Sequence, residues 1–258
     1  MMSQGAVTEL ICFILLGYTY SAMGAMDKHG GIQMGKLNSC DNGKLNLDVD
    51  WDGDAVEYTC PGATYPVIQG EKAAGVEFCE KKPNQPIHVC MSNQIEYTDT
   101  PPLSGKHRPN WARYGEYKYV PPQRWLHNLE HGAANFLYHP CADKEQVEIF
   151  KHIAKSCLRR HVITPYRHLP KTAPFAVVTW GCKLSMGRVD VSAVKSFVKK
   201  HALKTDESPV TRDGKYDLEL IHAADIVSDI KDSVICPEPS KSMKEILESG
   251  RQNSVIMK

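Results

Sequence analysis

The cysteines constrain the fold of this 258-residue chain more than any other feature. One of the nine, Cys12, lies within a short apolar run near the N-terminus, and eight follow it: Cys40, Cys60, Cys79, Cys90, Cys141, Cys157, Cys182 and Cys236. An even number in an exported chain indicates up to four disulfides, although sequence alone does not determine their pairing. No C-x-x-C pair is present, which disfavours a cysteine zinc site. Because Cys141 and Cys182 each follow a predicted strand, we expect them to pair.

The apolar run around Cys12 indicates export. Residues 10–16 read LICFILL, and the small residues after them include a plausible cleavage signature at residues 22–24. Spanning a membrane needs about 20 apolar residues, a length that no stretch of the chain reaches. We therefore predict that residues 1–24 are a signal peptide. We expect a product without a transmembrane segment that is secreted or retained in the lumen of the secretory pathway.

Composition narrows the class of function. Hydrophobic residues make up 42% of the chain and charged residues 24%, which is typical of a folded protein. The formal net charge is +1, so there is no basic excess to indicate nucleic-acid binding. The expected partner is a protein or a small molecule of unknown identity.

The pattern divides the exported chain into three parts. Residues 25–92 are rich in glycine and cysteine and predict a disulfide-braced, β-rich segment. Within it, residues 45–51 alternate apolar and polar, as a half-buried strand does. Residues 93–204 predict a core domain, and residues 205–258 a C-terminal tail that is partly packed and held by Cys236.

The core domain predicts an α+β fold. Residues 143–158 and 190–203 have apolar side chains at helical spacing, and Asp143 suits an N-cap. Short apolar runs predict strands, which cover residues 133–138, 161–166 and 175–180. This order favours a small mixed or antiparallel sheet with helices on one face.

The clearest chemical signal lies in residues 101–140, which contain four histidines. Its centre is HNLEHG, running from His127 through Glu130 and His131, with His107 upstream and His139 downstream. Imidazole and carboxylate groups bind metals such as zinc and move protons near neutral pH. On a helix, His127 and His131 would share a face roughly 6 Å apart. On a strand they would lie about 13 Å apart, too far for one ion.

Three interpretations of this segment stay open. H-x-x-E-H matches the inverted zinc-protease motif, in which both histidines bind zinc and the glutamate is the general base. A metal site of another kind is the second interpretation. In the third, these side chains hydrogen-bond the turns of a loop-rich core and bind nothing.

Our first hypothesis is a site for zinc or copper with His107, His127 and His131 as ligands. Glu130 is the candidate catalytic residue, as a proton acceptor or as a group that orients a ligand. His168 is a candidate fourth ligand. Whether the protein is an enzyme stays undecided.

The second hypothesis is a secreted or lumenal interaction protein without a metal, in which aromatic side chains bind a partner. The candidate aromatics are Trp111, Tyr114, Tyr117 and Tyr119. The competing interpretation places them in the core and its rim.

The motifs also resemble a known family. PPLSGKH, then W-x-x-x-G-x-Y (Trp111, Gly115 and Tyr117), then HNLEHG and an apolar strand ending in Tyr138 are similar to domain-of-unknown-function family 3105 of bacterial proteins. Its animal relatives look like the p-fifty-three-inducible protein thirteen group, which implies growth restraint and a secretory-pathway or membrane location. The resemblance covers residues 95–203 and carries no established catalytic mechanism. The bacterial relatives keep the histidine motif without these cysteines, which implies that the histidine cluster is the shared site.

Overall fold

The computed structural model describes residues 40–238. The predicted signal peptide and the last part of the predicted tail lie outside the described residues. Within residues 40–238, no helix has the length and apolar character needed to cross a membrane.

The main sheet has seven strands and is mixed. Its order is β1-β8-β7-β5-β6-β4-β9, and the pairs β5–β6 and β6–β4 are parallel whereas the other four are antiparallel. A separate parallel pair consists of β2 and β3. The strands are β1 Val76–Cys79, β2 Ile87–His88, β3 Lys106–His107, β4 Gly115–Tyr117, β5 Ala134–Tyr138, β6 His161–Pro165, β7 Phe175–Thr179, β8 Cys182–Met186 and β9 Leu220–Ala223.

Within residues 40–238, three α-helices accompany the sheet: α1 Pro122–Glu130, α2 Lys144–Cys157 and α3 Val191–His201. The side chains of Asp143 and Asp190 cap α2 and α3 by accepting a hydrogen bond from a backbone N–H of the first turn. Gly132 lies just beyond α1 with a φ of +80°, and a Cβ there would come within 2.8 Å of Leu203 Cα. The chain therefore leaves α1 at a position that only glycine fits.

The sheet separates two apolar layers. Phe136 and Val177 face α2 and α3, where they pack with Phe150 and Phe197. Their strand neighbours, such as Leu137 and Val178, point to the opposite face and pack with Trp125 and Leu129 of α1. The predicted α+β class with a mixed sheet is confirmed. Two helices cover one face as expected, and α1 covers the other.

The strand predicted over residues 45–51 is wrong. That stretch contains a 3₁₀ turn, Leu47–Val49, because Asn46 adopts a left-handed conformation and the side chain of Asn42 accepts hydrogen bonds from the backbone N–H groups of Lys44 and Leu45. Such local side-chain bonds compete with strand pairing.

The eight cysteines form four disulfides, as predicted. The pairs are Cys40–Cys90, Cys60–Cys141, Cys79–Cys182 and Cys157–Cys236. The expected Cys141–Cys182 bond is therefore wrong. Cys182 begins β8, a strand that the sequence pattern did not indicate, and β8 pairs with β1 so that Cys79 lies directly opposite. Cys141 instead meets the loop of Cys60, where the Tyr65 N–H donates to the Cys141 carbonyl.

The predicted N-terminal segment and the predicted tail both contribute strands. β1 and β2 come from the predicted N-terminal segment, and β9 from the predicted tail pairs with β4. The boundaries at residues 92 and 204 stay predictions.

Buried ion pairs fasten these segments to the sheet. Asp232, from the C-terminal part, lies 3.0 Å from Arg160 Nε, and both side chains are buried. Asp232 also accepts hydrogen bonds from the backbone N–H groups of Arg159 and Arg160. Breaking such a pair leaves a charge without its counterion in a site that water does not reach.

We therefore expect Asp232→Asn to lower the free energy of unfolding by about 3 kcal/mol, because Arg160 loses its buried anion. Asparagine tolerates the left-handed conformation of this position, so the change tests the charge. Denaturant titration measures the effect. Asp217→Asn is the matched control, since Asp217 pairs with Lys44 at an exposed site and its loss should cost less than about 1 kcal/mol. Equal losses in the two variants would contradict the assignment.

Candidate metal centre

Three parts of the chain bring four ligand-type side chains together. His88 ends β2 and His107 ends β3, and the two are register partners in the parallel pair. His127 and Glu130 lie three residues apart on α1. The short β2–β3 pair thus faces the last turn of α1 with two imidazoles, and the helix supplies a third imidazole and a carboxylate.

The distances suit one small cation. Glu130 Oε2 lies 3.0 Å from His107 Nε2 and 4.0 Å from both His88 Nε2 and His127 Nε2. One ligand atom from each residue lies within 4.8 Å of all the others. Four ligands at about 2.0–2.1 Å from a tetrahedral ion are separated by about 3.3 Å, a spacing that the three distances to Glu130 bracket.

The cluster is unusual because it buries a carboxylate among histidines. Glu130 is 3% exposed, and the three histidines are buried as well. A carboxylate that leaves water loses several kcal/mol of solvation unless a positive charge or several hydrogen bonds replace it. The buried cluster is therefore compatible with a bound cation.

Backbone carbonyls orient the imidazoles. His107 Nδ1 lies 2.8 Å from the Gly105 carbonyl, and His127 Nδ1 lies 2.6 Å from the Arg108 carbonyl. Because a carbonyl only accepts, each Nδ1 carries the proton and each Nε2 keeps its lone pair in the neutral ring. The Nε2 of His127 has no hydrogen-bond partner among residues 40–238. A histidine that binds a metal through Nε2 needs this tautomer, with the proton on Nδ1.

The protonation of His127 agrees with that role. Burial, followed by the neighbouring imidazoles of His107, His131 and His88, lowers the pKa of His127 well below its ordinary value. The ring is therefore neutral at physiological pH and available as a ligand.

Arg108 holds two of the histidines in place. Its carbonyl accepts from His127, and its guanidinium donates to the carbonyls of Val89 and Cys90, which follow His88 directly. The same guanidinium forms a buried ion pair with Asp50 at 2.6 Å. Arg108 is therefore a positioning residue that links His88 to α1.

The structure separates His131 from this group. His131 Nδ1 lies 3.4 Å from the Glu207 carbonyl, and its ring stacks on His127 with 4.7 Å between ring centroids. Burial lowers the pKa of His131 to about 3. The helical spacing does place both rings on one face, but the convergent group contains His88 and Glu130 instead of His131.

The other predicted histidines lie elsewhere. His139 Nε2 is 3.2 Å from the Tyr65 hydroxyl, and His168 packs edge-on against Tyr166. Neither belongs to the four-residue group. His88 was not predicted as a site residue, since it lies before the predicted core domain. The available signal was a histidine between two aliphatic residues, Ile87 and Val89, next to a cysteine.

The aromatic residues are core residues. Trp111, Tyr114, Tyr117 and Tyr119 are all buried, so the hypothesis that they present a partner-binding surface is wrong. Trp111 packs against His127 and His131, with ring centroids 4.9 Å and 4.4 Å apart. Trp111 therefore borders the site on the side of α1.

A cleft of about 400 Å³ reaches the cluster from outside. Of the four ligand-type residues, Glu130 is the one that lines it. Trp180, His201 and Lys204 lie around the same opening. The cleft therefore approaches the cluster at Glu130, whose two carboxylate oxygens are themselves buried.

Comparison with protein families assigns the region that contains this site. Residues 88–214 match the family described as "Protein of unknown function (DUF3105)". Over these residues the chain belongs to the DUF3105 family. The match begins at His88 and contains all four residues of the cluster. Comparison with the curated proteins finds no match, and comparison with the solved structures finds none. The resemblance to the animal group stays a prediction.

A buried histidine outside the cluster provides a matched reference. His161 lies in β6, donates through Nδ1 to the Leu158 carbonyl at 2.7 Å, and burial lowers its pKa from 6.5 to about 4. Between these two values the unfolded chain binds a proton that the folded chain does not, so stability falls as the pH drops.

We expect His161→Gln to flatten this dependence by about 1.4 kcal/mol per pH unit between pH 6.5 and pH 4. Denaturant titration gives the free energy of unfolding of the wild type and the variant at about pH 7 and about pH 5. The difference between the two proteins should change by about 2 kcal/mol between these pH values. The titrations of the other histidines are common to both proteins and cancel. Parallel stability curves would contradict the neutral state of buried His161.

Proposed function

We propose that this protein is an exported, disulfide-stabilised metalloprotein that holds one zinc or copper ion. The ligands are Nε2 of His88, His107 and His127 and a carboxylate oxygen of Glu130. The observation that carries the proposal is the convergence of these four buried groups within 4.8 Å of one another.

Charge supports a divalent cation. Three neutral imidazoles and one carboxylate place a net charge of −1 in a buried site, and a divalent ion changes it to +1 while supplying each ligand with a bond. In the metal-free alternative, an ionised Glu130 pairs with a protonated His107, whose Nε2 lies 3.0 Å from its carboxylate. The metal analysis described below distinguishes the two states.

The donor set supports zinc or copper. Imidazole suits both ions, and one carboxylate among histidines is common in zinc sites. The cluster contains no sulfur, because all eight cysteines in the described chain form disulfides. The proposed set keeps His107 and His127 of the sequence hypothesis, adds His88, moves Glu130 into the ligand set, and leaves His131 as a packing neighbour.

The cleft gives the proposal a direction for chemistry. Since Glu130 lines the cleft, a substrate or an exchangeable water would approach the ion on the side of this residue. Four protein groups form a closed tetrahedral site. If the ion takes up a fifth ligand, it would activate a bound water for attack on a carbonyl or phosphoryl centre.

Export rests on two observations. The apolar run at residues 10–16 has the length of a signal-peptide core, and four disulfides are typical of proteins that fold in an oxidising compartment.

Metal analysis tests the ligand set. The untagged protein secreted from eukaryotic cells should contain nearly one equivalent of zinc or copper by elemental analysis. His88→Ala should lower the metal affinity at least tenfold, because it removes a direct ligand. His131→Asn and His161→Gln should retain the metal, since both residues are buried histidines outside the cluster. Circular dichroism checks that each variant is folded.

Two results would overturn this proposal. A folded wild-type protein that contains no metal and takes up neither zinc nor copper at neutral pH would exclude the site. Loss of metal in His131→Asn together with retention in His88→Ala would restore the ligand set His107, His127 and His131.

Arg108 offers a test of how the site is held. Arg108→Lys keeps the positive charge beside Asp50 but loses the forked donors that bind the Val89 and Cys90 carbonyls. We expect metal affinity to fall by about 10–100-fold, as for other groups that orient ligands. Arg159→Lys, at the Asp213 pair, is the matched control and should leave the affinity unchanged. Equal affinities in both variants and the wild type would show that Arg108 does not position the ligands.

A further inference from the structure

A second group of metal-ligand-type side chains, two of them cysteines, lies at one edge of the seven-stranded sheet. Cys79 of β1 and Cys182 of β8 are directly opposite each other in the antiparallel register and form a disulfide. His201 is the last residue of α3, and one of its ring nitrogens lies within 4.8 Å of both sulfur atoms. The group shares no residue with the buried cluster.

This disulfide is the most accessible of the four. Cys79 is the one exposed cysteine among the eight in residues 40–238, whereas the others are buried or half-buried. It lies on β1, an edge strand whose four residues are all exposed. A thiolate reagent therefore reaches this sulfur more easily than any other in the described chain.

Glu77 orients the imidazole of His201. His201 Nε2 lies 2.9 Å from Glu77 Oε1, and Lys200 Nζ lies 2.7 Å from the same oxygen. A carboxylate partner of this kind fixes the orientation of a ring that binds a metal.

We propose that Cys79–Cys182 is a reducible disulfide whose dithiol form, together with His201, binds a thiophilic d¹⁰ cation such as Zn²⁺. A dithiol reductant supplies two electrons and two protons: its own thiols become a disulfide, the Cys79–Cys182 bond breaks, and two thiols form. Binding of Zn²⁺ then releases these two thiol protons. Two thiolates and one imidazole are three of the four ligands of a tetrahedral zinc site, and water completes it.

One residue of the group, His201, also lines the cleft that contacts Glu130. The inference does not depend on the proposed metal centre, since it uses different residues and a different donor chemistry.

Selective reduction is the first half of the test. The full chain is treated with a limiting amount of dithiothreitol, alkylated, and mapped by mass spectrometry. We expect label on Cys79 and Cys182 while the other three disulfides remain closed. First opening of any other pair would overturn the proposal.

Cation binding is the second half, with Cd²⁺ as a spectroscopic substitute for Zn²⁺. The reduced, unalkylated protein should bind one equivalent with a thiolate-to-cadmium charge-transfer band in the ultraviolet. Histidine and carboxylate ligands give no such band, so binding at the buried cluster does not interfere. His201→Gln should weaken the binding at least tenfold while leaving selective reduction unchanged.

A double variant keeps this test interpretable. Cys79→Ser with Cys182→Ser removes the disulfide and both sulfurs, and its circular dichroism shows whether the sheet forms without them. We expect a folded protein without the charge-transfer band. A reduced wild-type protein that gives no band, or a band that persists in the double variant, would overturn the inference.

Discussion

A carboxylate buried against an imidazole is the contact on which the site depends. Glu130 Oε2 lies 3.0 Å from His107 Nε2 at a depth that water hardly reaches. Isolated in that position, an ionised carboxylate would cost several kcal/mol. The imidazoles of His88 and His127 lie 4.0 Å from the same oxygen. We propose that a shared cation lets these imidazoles and the carboxylate occupy one buried space.

Other buried charges hold that arrangement in place. Arg124 extends from α1 to Asp41 at 2.7 Å, and Arg108, which directly follows β3, extends to Asp50 at 2.6 Å. Both aspartates come from the N-terminal segment, which the Cys40–Cys90 disulfide also closes near His88. This segment therefore does more than brace the domain, because it contains His88 and the two aspartates that pair with Arg108 and Arg124.

Local signals predicted the central elements well. Apolar spacing and the Asp143 cap indicated α2, and short apolar runs indicated β5, β6 and β7 within one or two residues. These elements are long or strongly apolar, so their patterns survive without tertiary information. The region of α1 was ambiguous, because its nine residues carry both helix and strand signals. Packing against Leu137 and Val178 decides in favour of the helix. Strands β1 and β8 are short and partly exposed, and their pairing determines the Cys79–Cys182 bond. That bond could not be predicted without them.

Sequence spacing and the folded geometry select different candidate ligands. HNLEHG and His107 indicated the region in which four ligand-type side chains converge, but spacing alone favoured His131 over His88. The difference arises from long-range contacts: α1 ends at Glu130, His131 faces the Glu207 carbonyl, and β2 pairs with β3 to bring His88 beside His107. The most direct measurement is X-ray absorption at the metal edge of the untagged, secreted protein. The structure predicts nitrogen and oxygen ligands at about 2.0–2.1 Å, outer-shell scattering from three imidazoles, and no sulfur. A shell without imidazole scattering, or one containing sulfur at about 2.3 Å, would contradict a centre built from His88, His107, His127 and Glu130.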